Sequence, residues 1–170
     1  ELTCDIASDV PDRLEGDANR LRQIILNLVG NAIKFTERGE VCLRARVQSL
    51  DDAHCVLQFT VADTGIGIPL DRHEHIFNAF AQADSSTTRQ YGGTGLGLTI
   101  SNRLTIMMNG RMWLDSEPGR GSEFHFTVKF GRIDDHVSVH DEGPSALQQA
   151  RILIVDDNST QRRVLAEAVS

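Results

Sequence analysis

The sequence predicts an α/β fold, and three observations support this prediction. Residues 17–36 carry apolar side chains at helical spacing, whereas residues 41–47 and 56–63 alternate between apolar and polar side chains. Helical spacing indicates a helix that covers a core, and alternation indicates a half-buried strand. A second helical pattern and a second pair of alternating segments follow after residue 97. The 170 residues leave room for one full domain and a fragment of another.

The first predicted helix has a polar row beside its apolar face. The apolar face consists of Leu21, Ile24, Ile25, Leu28, Ala32 and Phe35. The polar row, within about 80° at 100° per residue, consists of Gln23, Asn27, Asn31 and Lys34. Such a row is either a solvated flank or part of a site. Two asparagines on one line lower helix stability, which favours a task for their amides.

Asp63 ends the second alternating strand on its covered side. Leu57, Phe59 and Val61 face the core, and by parity Asp63 does too. A buried carboxylate needs a hydrogen-bond donor, which comes from the protein or from a ligand. In the DTGIGIP segment that follows, Gly65 and Gly67 permit a close backbone approach beside this carboxylate.

A polar stretch, residues 69–91, lies between two glycine clusters and is a candidate lid. The second cluster, YGGTGLGLTIS at residues 91–101, runs directly into a helical pattern. Glycines let backbone N–H groups approach a ligand, and the start of a helix favours an anion. Phosphate is therefore the expected ligand. The spacing fits neither a dinucleotide-binding motif nor a P-loop. A loop that only turns tightly before a helix is the alternative.

The remaining elements complete the predicted sheet. Asn109 and Gly110 supply a left-handed stop for the second helix. Residues 111–116 and 122–130 alternate around a glycine-rich turn and predict an antiparallel hairpin. Residues 133–150 are polar and read as a linker, after which RILIVDDNS begins a buried type of strand that ends in acids.

Composition excludes several classes of protein. The net charge of −7 argues against nucleic acid as the main partner. No apolar run approaches the length of a membrane span, so no direct membrane contact is expected. Cys4, Cys42 and Cys55 are odd in number and far apart, which suits reduced packing residues better than a disulfide frame or a metal site. A cytoplasmic location is therefore expected.

Four segments together resemble the ATP-binding catalytic domain of sensor histidine kinases, in the GHKL or Bergerat superfamily. NLVGNAIKFT, DTGIGIP, FNAFAQADSSTTRQYGGTGLGLTIS and EPGRGSEFHF are similar, in this order, to its N, G1, F and G2 boxes. RILIVDDNS is similar to the first strand and acidic pocket of a receiver domain, as found in hybrid kinases. The resemblance implies a catalytic domain at residues 1–132, a linker at 133–150 and a truncated start of a receiver domain at 151–170.

The family fold is a two-layer α/β sandwich, in which three helices cover a mixed sheet and an ATP lid closes over the nucleotide. The resemblance implies that Asp63 reads the exocyclic amine of adenine, since an acceptor-only carboxylate suits that donor. It also implies three catalytic residues: Asn31 as the main Mg²⁺ ligand, Asn27 as a second ligand, and Lys34 on the phosphates. The further implied nucleotide contacts are Gly65, Gly67, Phe80, Arg89, Gly93, Thr94, Gly95, Leu96, Gly97 and Ser122.

The implied function is binding of Mg-ATP and transfer of its γ-phosphoryl group to a histidine on a dimerisation hairpin, with a receiver domain or response regulator downstream. None of the 6 histidines lies in the family's phosphoacceptor motif, so the chain alone is not expected to phosphorylate itself; His125, for example, is expected at the surface. Two alternatives stay open: a regulatory nucleotide-binding module, and an ATP hydrolase of the wider superfamily. The hydrolases carry a glutamate where this chain has Asn27, which argues against the second.

Overall fold

The computed structural model describes residues 1–73, 75–77, 95–133 and 155–168. The chain divides into two compact units, Glu1–Arg132 and Ile133–Ser170. The described part of the second unit contains the helix α3 (Ser159–Ala168). Most of the predicted lid, residues 74 and 78–91, and nearly all of the predicted linker, residues 134–150, lie outside the described residues.

The first unit is built on a mixed sheet. Its strands are β1 (Leu2–Ile6), β2 (Leu14–Glu15), β3 (Val41–Leu50), β4 (His54–Asp63), β5 (Met112–Glu117) and β6 (Gly121–Arg132). They pair in the order β1-β3-β4-β6-β2, and β5 pairs with the first half of β6. The β1–β3 pair is parallel and the other pairs are antiparallel. β6 therefore pairs with β4 along one edge and with β5 and β2 along the other.

Within the described part of this unit, two α-helices pack on one face of the sheet: α1 (Ala18–Phe35) and α2 (Gly97–Met107). A short 3-10 helix, Leu70–Arg72, follows β4. Asp17 caps α1, because its carboxylate accepts the backbone N–H groups of residues 19 and 20 at 3.1 and 3.0 Å. α2 ends just before Asn109, whose φ of 56° is the predicted left-handed stop. No helix in the described ranges has the length and apolarity to cross a membrane.

The core lies between these helices and the sheet. Its buried members include Ile24, Leu28 and Ala32 from α1, Leu57, Phe59 and Val61 from β4, and Phe124, Phe126, Val128 and Phe130 from β6. The rings of Phe59 and Phe126 stack with their centroids 4.9 Å apart. The predicted apolar faces of the helix and of both strands are the faces that the fold buries, and the predicted α/β sandwich with a mixed sheet is confirmed.

The expectation that His125 is a surface residue is wrong. Its position on the outer face of β6 follows from parity, yet only 7% of the residue is exposed. The ring stacks on Trp113 with centroids 5.1 Å apart, and Nδ1 lies 2.9 Å from Oγ1 of Thr60. Side chains from the two neighbouring strands therefore cover the imidazole, because cross-strand neighbours on one face lie close enough to touch.

The cysteines are free, and two of them behave as predicted. Cys42 and Cys55 are buried, and burial raises the pKa of both thiols. Cys4 is exposed on β1, so the interpretation as a packing residue is wrong for this position. β1 is an edge strand, and parity alone does not show whether its face is covered.

Replacement of a core aromatic tests this packing. Phe126→Ala is expected to lower the free energy of unfolding by about 3–5 kcal/mol, because large-to-small changes in a core lose burial and leave a cavity. Phe126 is fully buried and Ile106 on α2 is 60% exposed, so Ile106→Ala is the control and should change stability by less than about 0.5 kcal/mol. Urea unfolding followed by circular dichroism measures both. Similar losses in the two variants would contradict the placement of Phe126.

Candidate functional site

The polar row of α1 lies beside α2. Nδ2 of Asn27 donates a hydrogen bond of 2.9 Å to Oγ of Ser101, across 74 residues of sequence. Asn31 and Lys34 follow Asn27 along the helix and are half-buried as well. The Lys34 ammonium lies 5.0 Å from the centroid of the Phe35 ring. The predicted row is thus a line of amides and one cation along the edge of α1, and Asn27 is its point of contact with α2.

Asp63 is buried at the end of β4, with 9% of the residue exposed. Burial raises the pKa of its carboxyl group, and hydrogen bonds from the backbone N–H groups of Gly65 and Ser122 act in the opposite direction. The Gly65 bond to Oδ1 is 2.8 Å long. The sequence predicted that this carboxylate needs a donor, and the structure supplies two of them from its own backbone.

Two serines complete the surroundings of Asp63 on the neighbouring strands. Register places Ser122 opposite Asp63, and Ser116 opposite Ser122. Oγ of Ser116 accepts the N–H of Ile68 at 2.8 Å, lies 2.8 Å from the carbonyl oxygen of Gly121 and lies 3.0 Å from Oγ of Ser122. Sequence reasoning missed Ser116. Its signal was the alternation of β5, which puts it on the covered face.

The glycines after β4 are required by the protein's own backbone. A Cβ at Gly65 would overlap the carbonyl oxygen of Phe35, the last residue of α1. Gly67 has a φ of 69°, and a Cβ there would overlap the carbonyl oxygen of Glu117. The close approach predicted for this segment is therefore made by α1 and by the end of β5. The segment is clamped between them beside Asp63.

The structure describes the second glycine cluster from Gly95 onward. Gly95 has a φ of 67°, Leu96 precedes the helix, and α2 begins at Gly97. A Cβ at Gly97 would overlap the amide oxygen of Asn27, so this glycine lets the two helices approach each other. Four predicted contacts lie outside the described residues: Phe80, Arg89, Gly93 and Thr94.

The donor set of α1 fits a metal that arrives with phosphate. Neutral amide oxygens such as those of Asn27 and Asn31 are hard ligands for Mg²⁺, but they hold it weakly unless phosphate oxygens share the coordination. Among the residues the structure describes, no group of three His, Cys, Asp or Glu side chains forms a metal site by itself. The half-buried amides of α1, of which Asn27 lies beside the first residue of α2, therefore suit a bound metal–phosphate complex and not a free ion.

A cavity of about 330 Å³ near the end of β4 is separate from the space beside the polar row of α1. Asp63 and Ser122 contribute to its lining, together with Cys42, Arg44 and Glu123. Cys42 and Glu123 belong to the cross-strand row of Ala62, which alternates with the row of Asp63. The cavity therefore extends to the outer face of the sheet, away from the helices.

Comparison with known proteins identifies the family to which this fold belongs. Residues 16–132 match the family described as histidine kinase-, DNA gyrase B- and HSP90-like ATPase. The chain belongs to this family, and the match covers nearly all of the first compact unit, Glu1–Arg132.

Named relatives narrow the class to histidine kinases. The histidine-protein kinase BarA of Escherichia coli K12 is 42% identical over 172 residues, which is 100% of this chain and 18% of BarA. The sensor protein GacS of Pseudomonas syringae pv. syringae is 49% identical over 129 residues, which is 76% of this chain and 14% of GacS. Full-length ShkA, crystallised with AMPPNP, superposes with a TM-score of 0.65 at 41% identity, over 78% of this chain and 26% of ShkA. The chain thus spans less than a fifth of either curated relative. The similarity to histidine kinase catalytic domains is confirmed.

The buried charge of Asp63 predicts a pH-dependent cost in the ligand-free protein. Burial raises the pKa of the Asp63 carboxyl group. The folded chain therefore keeps the carboxyl proton at pH values above the unfolded pKa of about 3.9, where the unfolded chain loses it. Stability from this group is therefore complete below that pH and is lost as the pH rises through the folded pKa. Asp63→Asn should be more stable than the wild type at neutral pH, and its advantage should shrink as the pH falls.

Urea unfolding between about pH 4 and pH 7 measures this difference over the relevant range of carboxyl titration. The matched control is Asp52→Asn, since Asp52 is an exposed carboxylate in the β3–β4 turn. An advantage of Asp63→Asn that stays constant with pH, or that Asp52→Asn shares, would contradict the assignment of the cost to the buried carboxylate.

Proposed function

We propose that residues 1–132 bind Mg-ATP and transfer its γ-phosphoryl group to a histidine on a dimerisation hairpin, in two-component signal transduction. The observation that carries the proposal is the buried carboxylate of Asp63, 9% exposed, at the covered end of a strand in a chain of this ATPase family. Relatives named as histidine kinases, and a neighbour crystallised with AMPPNP, support it.

Adenine recognition rests on Asp63. An ionised carboxylate only accepts hydrogen bonds, so it pairs with the exocyclic amine of adenine and opposes the carbonyl oxygen of guanine. The N–H groups of Gly65 and Ser122 hold the carboxylate in place before the nucleotide arrives. A charge-assisted hydrogen bond in a desolvated site is stronger than one in water. ATP is therefore preferred over GTP.

Asn31 is the main metal ligand in this proposal, with Asn27 as the second and Lys34 as a charge on the phosphates. The first turn of α2 adds backbone N–H groups at the positive end of the helix dipole, and Gly95, Leu96 and Gly97 lead into that turn. When bound, Mg²⁺ neutralises charge on the phosphates that are transferred. The lid residues Phe80 and Arg89, together with Gly93 and Thr94 of the second glycine cluster, are proposed as the remaining contacts.

The identity of residue 27 favours transfer to histidine over hydrolysis. An amide at this position has no useful basicity, so an attacking water lacks a general base beside the metal ligand Asn31. A neutral histidine nitrogen needs no such base, because it is already a nucleophile. The hairpin that carries the histidine is the proposed partner, and residues 151–170 are proposed as the start of a receiver domain.

Loss of the carboxylate at position 63 should remove adenine selectivity. Asp63→Ala is expected to weaken binding of a non-hydrolysable ATP analogue by on the order of 2 kcal/mol, about 30-fold. Calorimetric titration with ATP and GTP analogues measures the affinity and the selectivity. Asp71→Ala, which removes an exposed carboxylate, is the control and should bind as the wild type does. Equal affinity in Asp63→Ala and the wild type would overturn the adenine assignment.

Phosphoryl transfer is tested with a separate acceptor. Incubation of the chain with γ-labelled ATP, Mg²⁺ and a histidine-bearing hairpin from a kinase of this class should place label on the hairpin histidine. The label should be lost on acid treatment, as expected for a phosphorus–nitrogen bond, and Asn31→Ala should abolish the transfer. Intact ATP binding without label on the hairpin would favour the alternative of a regulatory nucleotide-binding module.

A further inference from the structure

We propose that Ser101 is a positioning residue for Asn27. Its hydroxyl group fixes the Asn27 amide with the nitrogen against Ser101 and the oxygen beside Gly97, so that the oxygen is presented to the phosphate-bound metal. This inference rests on the proposed function, because it assigns the support of one proposed Mg²⁺ ligand.

The contact has the usual length of a hydrogen bond and is partly buried. The distance from Nδ2 of Asn27 to Oγ of Ser101 is 2.9 Å, and only 1% of Ser101 is exposed. A buried hydroxyl group without an alternative in water holds its partner firmly. The bond joins α1 to α2 at the edge of the polar row, so the position of one helix sets the orientation of a side chain on the other.

Gly97 supplies the second constraint on the same amide. Gly97 and Ser101 are four residues apart and therefore lie on one face of α2. A Cβ at Gly97 would overlap Oδ1 of Asn27, so the missing side chain makes room for the amide oxygen next to the first residue of the helix. Together, the glycine admits the oxygen and the serine binds the nitrogen.

The orientation matters because the two ends of an amide are chemically opposite. The oxygen is a hard ligand that suits Mg²⁺, whereas the NH₂ group is a donor with no free lone pair for a metal. An amide that rotates freely presents the wrong end for part of the time. Partners that orient a metal ligand typically change metal affinity by 10- to 100-fold when they are removed. Ser101 has the position of such a partner.

The decisive variant is Ser101→Ala in the full chain, examined by binding of a non-hydrolysable ATP analogue over a range of Mg²⁺ concentrations and in EDTA. The Mg²⁺ concentration that gives half of the maximal increase in analogue affinity should rise about 10-fold. The affinity for the analogue in EDTA should not change. Thr105→Val is the matched control. Thr105 is a fully buried α2 residue one turn after Ser101, and its hydroxyl has no hydrogen-bond partner within the described part of the chain. This control should leave the Mg²⁺ dependence unchanged.

A double-mutant cycle separates positioning from packing. If Ser101 acts through Asn27, Ser101→Ala should have no further effect in an Asn27→Ala background. Ser101→Thr keeps the hydroxyl group and should retain most of the wild-type Mg²⁺ dependence. Ser101→Cys, which is close to serine in volume, replaces Ser101→Ala if the alanine variant unfolds. Additive losses, or equal weakening with and without Mg²⁺, would overturn the proposal.

Nucleotide binding by the wild type separates a failure of the role proposed for Ser101 from a failure of the proposed function. Mg²⁺-enhanced nucleotide binding that Ser101→Ala leaves unchanged overturns the role of Ser101 and leaves the proposed function standing. Absence of nucleotide binding in the folded wild type overturns the proposed function, and the role of Ser101 falls with it.

Discussion

The packing of α1 on the sheet is the contact on which the rest of the site depends. Ile24 and Leu28 have no exposed surface, and they fix the rotation of the helix about its axis. Side chains on a helix stand at fixed angles to one another, so this rotation also directs Asn27 and Asn31 along the edge that faces α2. A helix turned by one residue would send the amides into solvent or into the core. The polar site is thus placed by apolar burial.

Local periodicity explains how much of this could be predicted. The pattern at residues 17–36 predicts a helix that the structure shows as α1, Ala18–Phe35. Parity along β4 placed Asp63 on the covered side, and the structure shows it buried there. Both inferences depend on residues within a few positions of each other, for which the geometry of a helix or strand is fixed in advance.

The residues that sequence reasoning missed depend on contacts between distant segments. The bond from Asn27 to Ser101 spans 74 residues, and the bond from Thr60 to His125 spans 65. A serine in a helical pattern and a histidine in an alternating strand look ordinary until register and helix packing decide their neighbours. Loop closure over such distances leaves no local signal in the sequence. The burial of His125 therefore became visible only in the folded chain.

The glycines of the site act as spacers between parts of the protein. At Gly65 and Gly97, the space of an absent Cβ holds the Phe35 carbonyl oxygen and the Asn27 amide oxygen. An alanine at either place would push the end of α1 away from the end of β4, or α1 away from α2. A loss of nucleotide affinity in such a variant would result from the displacement of these segments and not from a lost contact with the nucleotide. Glycines at these two positions thus set the distances between α1, α2 and the end of β4, whether or not they touch what the proposed site binds.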